Sequence, residues 1–513
     1  MKLLLGAMSF TLLLTSMGWA DALPKIEANP FSVVREHIEQ LVAAGEVPSM
    51  AVAVARDGEI IWEEGFGLAD RSKNIPATEH TRYALASISK PLAATGLMIL
   101  VEQGRVDLNR PINDYLGEAR LQARVGDAAQ ATVYRVASHT AGLPLHARHF
   151  YDESYQPPPM DETIRRYGNL VTAPGERFQY SNLGYGLLGH VIARVSGRRY
   201  ADFMREEVFA PLRMRQTSVH LEPRRQEGLA VKYTPDGAVV PVCDSDGPAA
   251  GAVYGSAHDL IRFAMFHLKN DLPDQKAIIT HAAIDAMQLP SAETGPMKEW
   301  EREGSGYGIG WCLGVTANDL RMVHHSGGMH GVSTVLALVP EENLVVAVLA
   351  NTHTQWPEAI LIEIGRVLLP GKLEGFPAPT GGATAGPSFA PGPELVGSWT
   401  GLVHTYRGRI SLGLEIGAAG RVYATLGEQR RAGLQSVTYQ NDFPKFNNAG
   451  GGPFLRGWMT GDIGTEDVNR GRPYKLWLEL KLRDNVLNGS LIAFSQRKNP
   501  TGPLTHWVEL RRK

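Results

Sequence analysis

Strand-like runs of small and β-branched apolar residues sit at two distant places in this chain, and any fold must bring them together. MAVAVARDGEI (50–60) and IWEEGFGLAD (61–70) flank Asp57-Gly58, a turn dipeptide suited to a hairpin. YGIGWCLGV (307–315), RMVHHSGG (321–328), GVSTVLALVP (331–340) and NLVVAVLANT (343–352) form a second group, separated by turn residues. Residues 30–46 and about 357–369 carry helical spacing, and the long middle is mostly helical in pattern. Strands at both ends with helices between predict one sheet assembled from the two ends of a single domain.

After residue 369 the pattern changes. Residues 370–393, beginning PGKLEGFPAPTGG, are rich in Pro, Gly and Ala and lack periodicity, which reads as a linker. Beyond it the period is two: Ile410, Leu412, Leu414 and Ile416 alternate with small or charged residues, as do Leu476, Leu478, Leu480 and Leu482. Turns are expected at Asp484-Asn485 and Asn488-Gly489, and the region 394–513 is predicted to be a small all-β barrel. At the other end, Lys2 precedes an apolar stretch from Leu3 to about Leu14 and the cleavage-like Ala20-Asp21-Ala22, the pattern of a secretory signal peptide over residues 1–22. The expectation is an exported chain, periplasmic or secreted, with a first domain over 23–369 and no membrane span once the signal is removed.

Charge narrows the partners. The 51 basic and 53 acidic residues leave a formal net charge of −2, without long runs of either sign, so nucleic acid and anionic membrane surfaces are poor candidates. The two cysteines, Cys243 and Cys312, are expected to be separate buried thiols. No H-E-x-x-H, H-x-H or G-x-S-x-G occurs, and His139, His146 and His149 lack metal-ligand spacing and are assigned to loop structure. No metal and no cofactor is expected.

Chemistry concentrates around ALASISKPLAAT (84–95). Ser87 and Lys90 lie three apart, so on a helix they share a face. Pro91 suits a helix start, and a serine there can aim its own N–H at a developing oxyanion. Lys90 can take the Ser87 proton only when neutral, which requires burial or a neighbouring cation. S-x-x-K alone is weak, about one or two matches being expected by chance. Ser495 and Lys498 match equally, but they fall in strand-rich sequence, where residues three apart face opposite ways.

Tyr180-Ser181-Asn182, after a Pro-Gly turn, and His325-Ser326-Gly327-Gly328 complete a set with Ser87 and Lys90. In this order, with ASHTAGLP (137–144), FAPLRM (209–214) and GPAAGAVYGSAHDLIRF (247–263), residues 30–370 resemble the penicillin-binding-protein and class C β-lactamase-related serine hydrolases. The resemblance implies an α+β domain, an antiparallel sheet flanked by helices, with Ser87 as nucleophile, Lys90 as its base and Tyr180 as a second proton-transfer group. It further implies Asn182, His325, Ser326 and Gly327 at the substrate, and the N–H groups of Ser87 and Gly328 as oxyanion hole. The reaction implied is hydrolysis of a peptide, amide or ester, of the D-amino-acid peptidase or esterase type, through an acyl-enzyme, with a small-molecule or peptide substrate as partner and a homo-oligomer left open. Class C β-lactamases have lysine where His325 stands, and histidine is mostly uncharged at pH 7. A β-lactamase with an atypical third motif and a non-hydrolytic penicillin-binding sensor are the alternatives. The C-terminal region resembles the lipocalin-like barrels appended to some secreted members.

Overall fold

A computed structural model describes residues 29–151, 156–220, 228–295, 303–372, 389–440 and 452–513. The expected signal peptide, and residues 373–388 of the expected linker, lie outside them.

The two strand groups meet in one antiparallel sheet. Ser49–Arg56 pairs with Leu344–Ala350 on one side and with Glu59–Asp70 on the other. Across the sheet the order is Gly306–Tyr307, Cys312–Val315, Arg321–Met329, Val332–Val339, Leu344–Ala350, Ser49–Arg56, Glu59–Asp70, Ile75–Pro76. Three central strands are buried on both faces, which explains their nearly unbroken apolar sequence. Met50, Val52 and Val54 share one core with Val34 and Ile38 of helix Ser32–Ala43 and Ile360 and Ile364 of helix Trp356–Leu368. Ala51, Ala53 and Ala55 face the other way, into the core that holds helices Ser89–Glu102 and Ala257–His267. The hairpin turn falls where expected: Asp57 and Gly58 both take positive φ, 53° and 81°, as a two-residue connection of matching twist requires.

The C-terminal region is a nine-stranded antiparallel sheet, from Ala432–Gly433 at one edge through Gly397–Thr405 and Pro503–Arg512 to Gln435–Gln440 at the other. Those edge strands are consecutive in sequence, so the sheet curls into a nearly closed barrel. Leu412, Leu414, Leu476, Leu478 and Leu480 are all buried inside, each contributing about 1.5–3 kcal/mol over exposure. Asp484-Asn485 is a turn, with φ of 45° and 61°. Asn488-Gly489 is not: both residues lie within strand Val486–Ser495, Gly489 facing Leu480 and Val508. Glycine is there because a Cβ would come within 2.2 Å of the Glu479 carbonyl oxygen, a backbone approach no other residue tolerates. Ser495 ends its strand and Lys498 lies beyond it, while Ser495 Oγ donates to the Gly471 carbonyl at 2.9 Å. The decoy pair is thus separated by the strand end rather than by strand alternation.

Ion pairs hold the barrel against the first domain. Asp467 takes Arg148, Arg166 (2.9 Å) and the Tyr167 hydroxyl (2.8 Å). Glu479 lies between Arg177 of the first domain and Arg456 of the barrel, the latter at 3.0 Å. Glu176 accepts from Lys481 (2.6 Å) and Arg483 (2.7 Å). The loop at 147–149 joins the barrel by main chain, Ala147 N–H to Pro503 O at 3.1 Å and His149 N–H to Thr501 O at 2.9 Å. The barrel therefore grips the segment just after His146 and the one just before Tyr180.

Candidate active site

Ser87 sits in a 3-10 turn, Ala86–Ile88, that runs into helix Ser89–Glu102. Pro91 falls in that helix's first turn, where its missing N–H costs nothing. Ala86, just before Ser87, has φ of 46°. A left-handed alanine costs about 1 kcal/mol or more, a strain that sharp turns at reactive groups commonly carry.

Lys90 is fully buried. Its Nζ lies 3.0 Å from Ser87 Oγ, 2.8 Å from Asn182 Oδ1 and 2.8 Å from the Ala250 carbonyl oxygen. No carboxylate is paired with it among the described residues, and burial pushes its pKa well below the usual lysine value, only the Cys312 thiol pulling upward. A neutral amine fits these three neighbours: two hydrogens for the Asn182 and Ala250 oxygens, and one lone pair for the Ser87 hydroxyl. Tyr180 behaves oppositely. Burial raises its pKa above the usual tyrosine value, partly offset by its hydrogen bond to Ser87. Its hydroxyl donates to Ser87 Oγ at 2.9 Å. Of the two groups touching Ser87, the lysine is thus poised to accept a proton and the tyrosine to hold one.

Tyr180 and Asn182 are set by the start of helix Asn182–Ser196, whose N-cap Ser181 accepts from Gly184 N–H at 3.0 Å. With Oδ1 of Asn182 committed to Lys90, its Nδ2 is what remains to donate. The third motif occupies strand Arg321–Met329, whose Gly327 packs against the Ser87 turn: a Cβ there would meet the Leu85 carbonyl at 2.2 Å and Ser87 N at 3.2 Å. Thr334 on the adjacent strand donates to the Leu85 carbonyl at 3.0 Å and pins the turn to the sheet. Gly328 lines the same cleft as Ser87, and a Cβ on it would meet only the His353 ring, at 3.7 Å. His325 is buried, with Nε2 3.2 Å from the Tyr307 hydroxyl and Nδ1 2.7 Å from the Ser326 carbonyl.

The histidines assigned to loops are more than that. His139, buried at φ 60°, packs against the Tyr180 ring at a 40° tilt with centroids 4.4 Å apart. Its Nδ1 accepts from Ser181 N–H at 3.1 Å and its carbonyl from Gln179 N–H at 2.7 Å, so it clasps the Tyr180 segment from both sides. Burial, then the nearby Lys90 and His325, hold its pKa well below the usual value. His146 and His149 line the cleft. ASHTAGLP was the available signal for His139, yet nothing in sequence tells a ring-packed histidine from an exposed one. Cys243 and Cys312 are separate thiols, not joined in a disulfide, and both are half-buried rather than buried. Among the described residues no group of three His, Cys, Asp or Glu is placed to hold a metal.

Residues 34–363 match the family model described as Beta-lactamase. The chain belongs to the β-lactamase family. Within curated members it is 25% identical over 326 residues to Protein flp of Staphylococcus aureus (strain MRSA252), 62% of each chain. The match therefore spans about three fifths of that relative's length. Penicillin-binding protein 4* of Bacillus subtilis (strain 168) is 28% identical over 358 residues, 64% of this chain and 74% of that one. Among solved structures, SurE with D-Leu superposes at a TM-score of 0.60 and 22% identity, covering 95% of this chain and 100% of that one. That coverage extends the shared fold through the barrel. Both expected fold classes, the α+β domain of this family and the small all-β barrel, are present.

Proposed function

We propose that this family member is a serine hydrolase that forms an acyl-enzyme on Ser87, acting on a peptide, amide or ester of the D-amino-acid peptidase or esterase type. The observation that carries the reading is a fully buried lysine, without a carboxylate partner among the described residues, 3.0 Å from the hydroxyl it would deprotonate. Neutral Lys90 takes the Ser87 proton as Oγ attacks the substrate carbonyl, and the oxyanion sits between the N–H groups of Ser87 and Gly328. Tyr180, kept protonated by burial, gives its proton to the leaving group and is reprotonated by Lys90; water then cleaves the ester by the reverse relay. His139 is a positioning residue for Tyr180. Asn182 orients the substrate through Nδ2.

His325, Ser326 and Gly327 form the wall beside the nucleophile turn, with Gly327 there for close approach. His325 turns toward Tyr307, so this chain has no fixed cation where β-lactamases of class C carry lysine, which favours the peptidase or esterase reading over the β-lactamase one. The leader-like residues 1–22 support export, and 23–369 and 394–513 are the domains we assign. The test is turnover of p-nitrophenyl acetate, D-alanyl-p-nitroanilide and benzylpenicillin by wild type and Ser87→Ala. The reading expects ester or anilide cleavage that vanishes in Ser87→Ala. Benzylpenicillin as the preferred substrate would point to the β-lactamase instead, and activity surviving the substitution would overturn the assignment.

A further inference from the structure

The cleft that holds Ser87 and Asn182 has a wall with no role in the chemistry above. Asp246 lines it and is 7% exposed. His146 Nε2 lies 3.2 Å from Asp246 Oδ2, and the Thr163 hydroxyl donates to the same oxygen at 3.4 Å. Both contacts fall on Oδ2, leaving Oδ1 without a hydrogen bond among the described residues. His146 also lines the cleft, is 1% exposed, and its Nδ1 has no hydrogen-bond partner. Its position is tied to the reacting centre by a short chain of contacts. Lys90 donates to the Ala250 carbonyl, four residues after Asp246. Gly247 packs on helix Asn182–Ser196, where a Cβ would meet Gly186 at 3.2 Å and the Asn182 carbonyl at 3.8 Å.

The charge-bearing groups of this wall are the carboxylates Asp244 and Asp246 and the histidines His146 and His149. Asp244, paired with His220 at 2.9 Å, lines the cleft too, and no lysine or arginine is among its described lining residues. Lys232, whose Nζ is 3.9 Å from the Cys243 sulfur, stands behind that wall rather than in it. Oδ1 of Asp246 is left open toward the cleft, where a cation or donor can meet it. The partner that fits is a primary ammonium with three N–H donors, and a substrate bound with its carbonyl at Ser87 would present one on its acyl side.

We infer that Asp246, held by His146 and Thr163, recognises the free α-amino group of the substrate, so the cleft selects aminoacyl amides and esters over N-blocked ones. This rests on the hydrolase reading for its meaning but not for its test. Ser87→Ala protein is titrated calorimetrically with D-alaninamide, N-acetyl-D-alaninamide and N-acetyl-D-alanine, and Asp246→Asn is added in the same background. D-alaninamide should bind at least about tenfold more tightly than the N-acetyl amide, in keeping with a charge-assisted contact. Asp246→Asn should remove that difference and leave the N-acetyl amide within about threefold.

Equal affinities for the two amides, tighter binding of N-acetyl-D-alanine, or an equal loss for both amides in Asp246→Asn would each overturn the inference. The comparison of ligands within Ser87→Ala needs no change at Asp246, so a poorly folding Asp246 variant leaves it decisive. Loss of Ser87-dependent ester turnover in wild type would count against the hydrolase reading alone.

Discussion

Glu479→Gln tests how strongly the barrel is coupled to the catalytic domain. Glu479 is buried between Arg177 and Arg456. Burial alone would raise its pKa, but the two guanidiniums overcome this and hold it at about 2 instead of the usual 4.5. Burial also draws Arg177 below its usual value, but an arginine stays protonated throughout the working range, so the carboxylate's shift is the one that registers in stability. At about 1.36 kcal/mol per pH unit the difference corresponds to about 3 kcal/mol. Removing one partner from a buried ion pair typically costs about 3–5 kcal/mol, because the remaining charge is stranded. The two routes agree on about 3 kcal/mol. Because the folded pKa is depressed, this stabilisation is complete above about pH 4.5 and is lost as pH falls toward 2. Urea denaturation followed by tryptophan fluorescence should therefore show Glu479→Gln less stable by about 3 kcal/mol at pH 7, with the gap closing between pH 4.5 and 2. Arg177 is three residues from Tyr180, so kcat should fall as well. A stability difference under about 0.5 kcal/mol at pH 7, or one independent of pH, would refute the reasoning.

Three further outcomes follow from the site. Lys90→Met should lower kcat/KM for p-nitrophenyl acetate by about 10²–10⁴-fold, the worth of a positioned base; a loss under tenfold would mean another group deprotonates Ser87. In wild type that rate should rise through an ionisation well below pH 10.5, since Lys90 must shed its proton and burial lowers its pKa; a rise confined to pH 10 and above would contradict this. Tyr180→Phe should slow anilide cleavage at least about tenfold more than p-nitrophenyl ester cleavage, because nitrophenolate departs without a proton and nitroaniline does not; equal losses would remove the leaving-group role.

The parts of this structure that were readable in sequence share a physical cause. Strands buried on both faces must be apolar throughout, so MAVAVA, TVLALV and LVVAVLA announce themselves, as does the period of two in the barrel. Ser87, Lys90, Tyr180 and Asn182 sit on local devices with their own signatures, a proline in a first helical turn and a serine cap. Asn488-Gly489 misled because a glycine that admits a neighbouring strand's carbonyl is written the same way as a turn glycine. His139, His146 and Asp246 were silent for a different reason. Their roles come from which loops meet, and a histidine on a tyrosine ring or a carboxylate in a cleft wall differs from a solvated one only through residues far away in sequence.

The most direct test of the central claim is intact-mass spectrometry after brief exposure to p-nitrophenyl acetate and acid quench, with peptide mapping of any adduct. A single acetyl group on the peptide containing Ser87 in wild type, and none in Ser87→Ala, is the predicted result. An acetyl group on another residue, or one that persists in Ser87→Ala, would contradict the account.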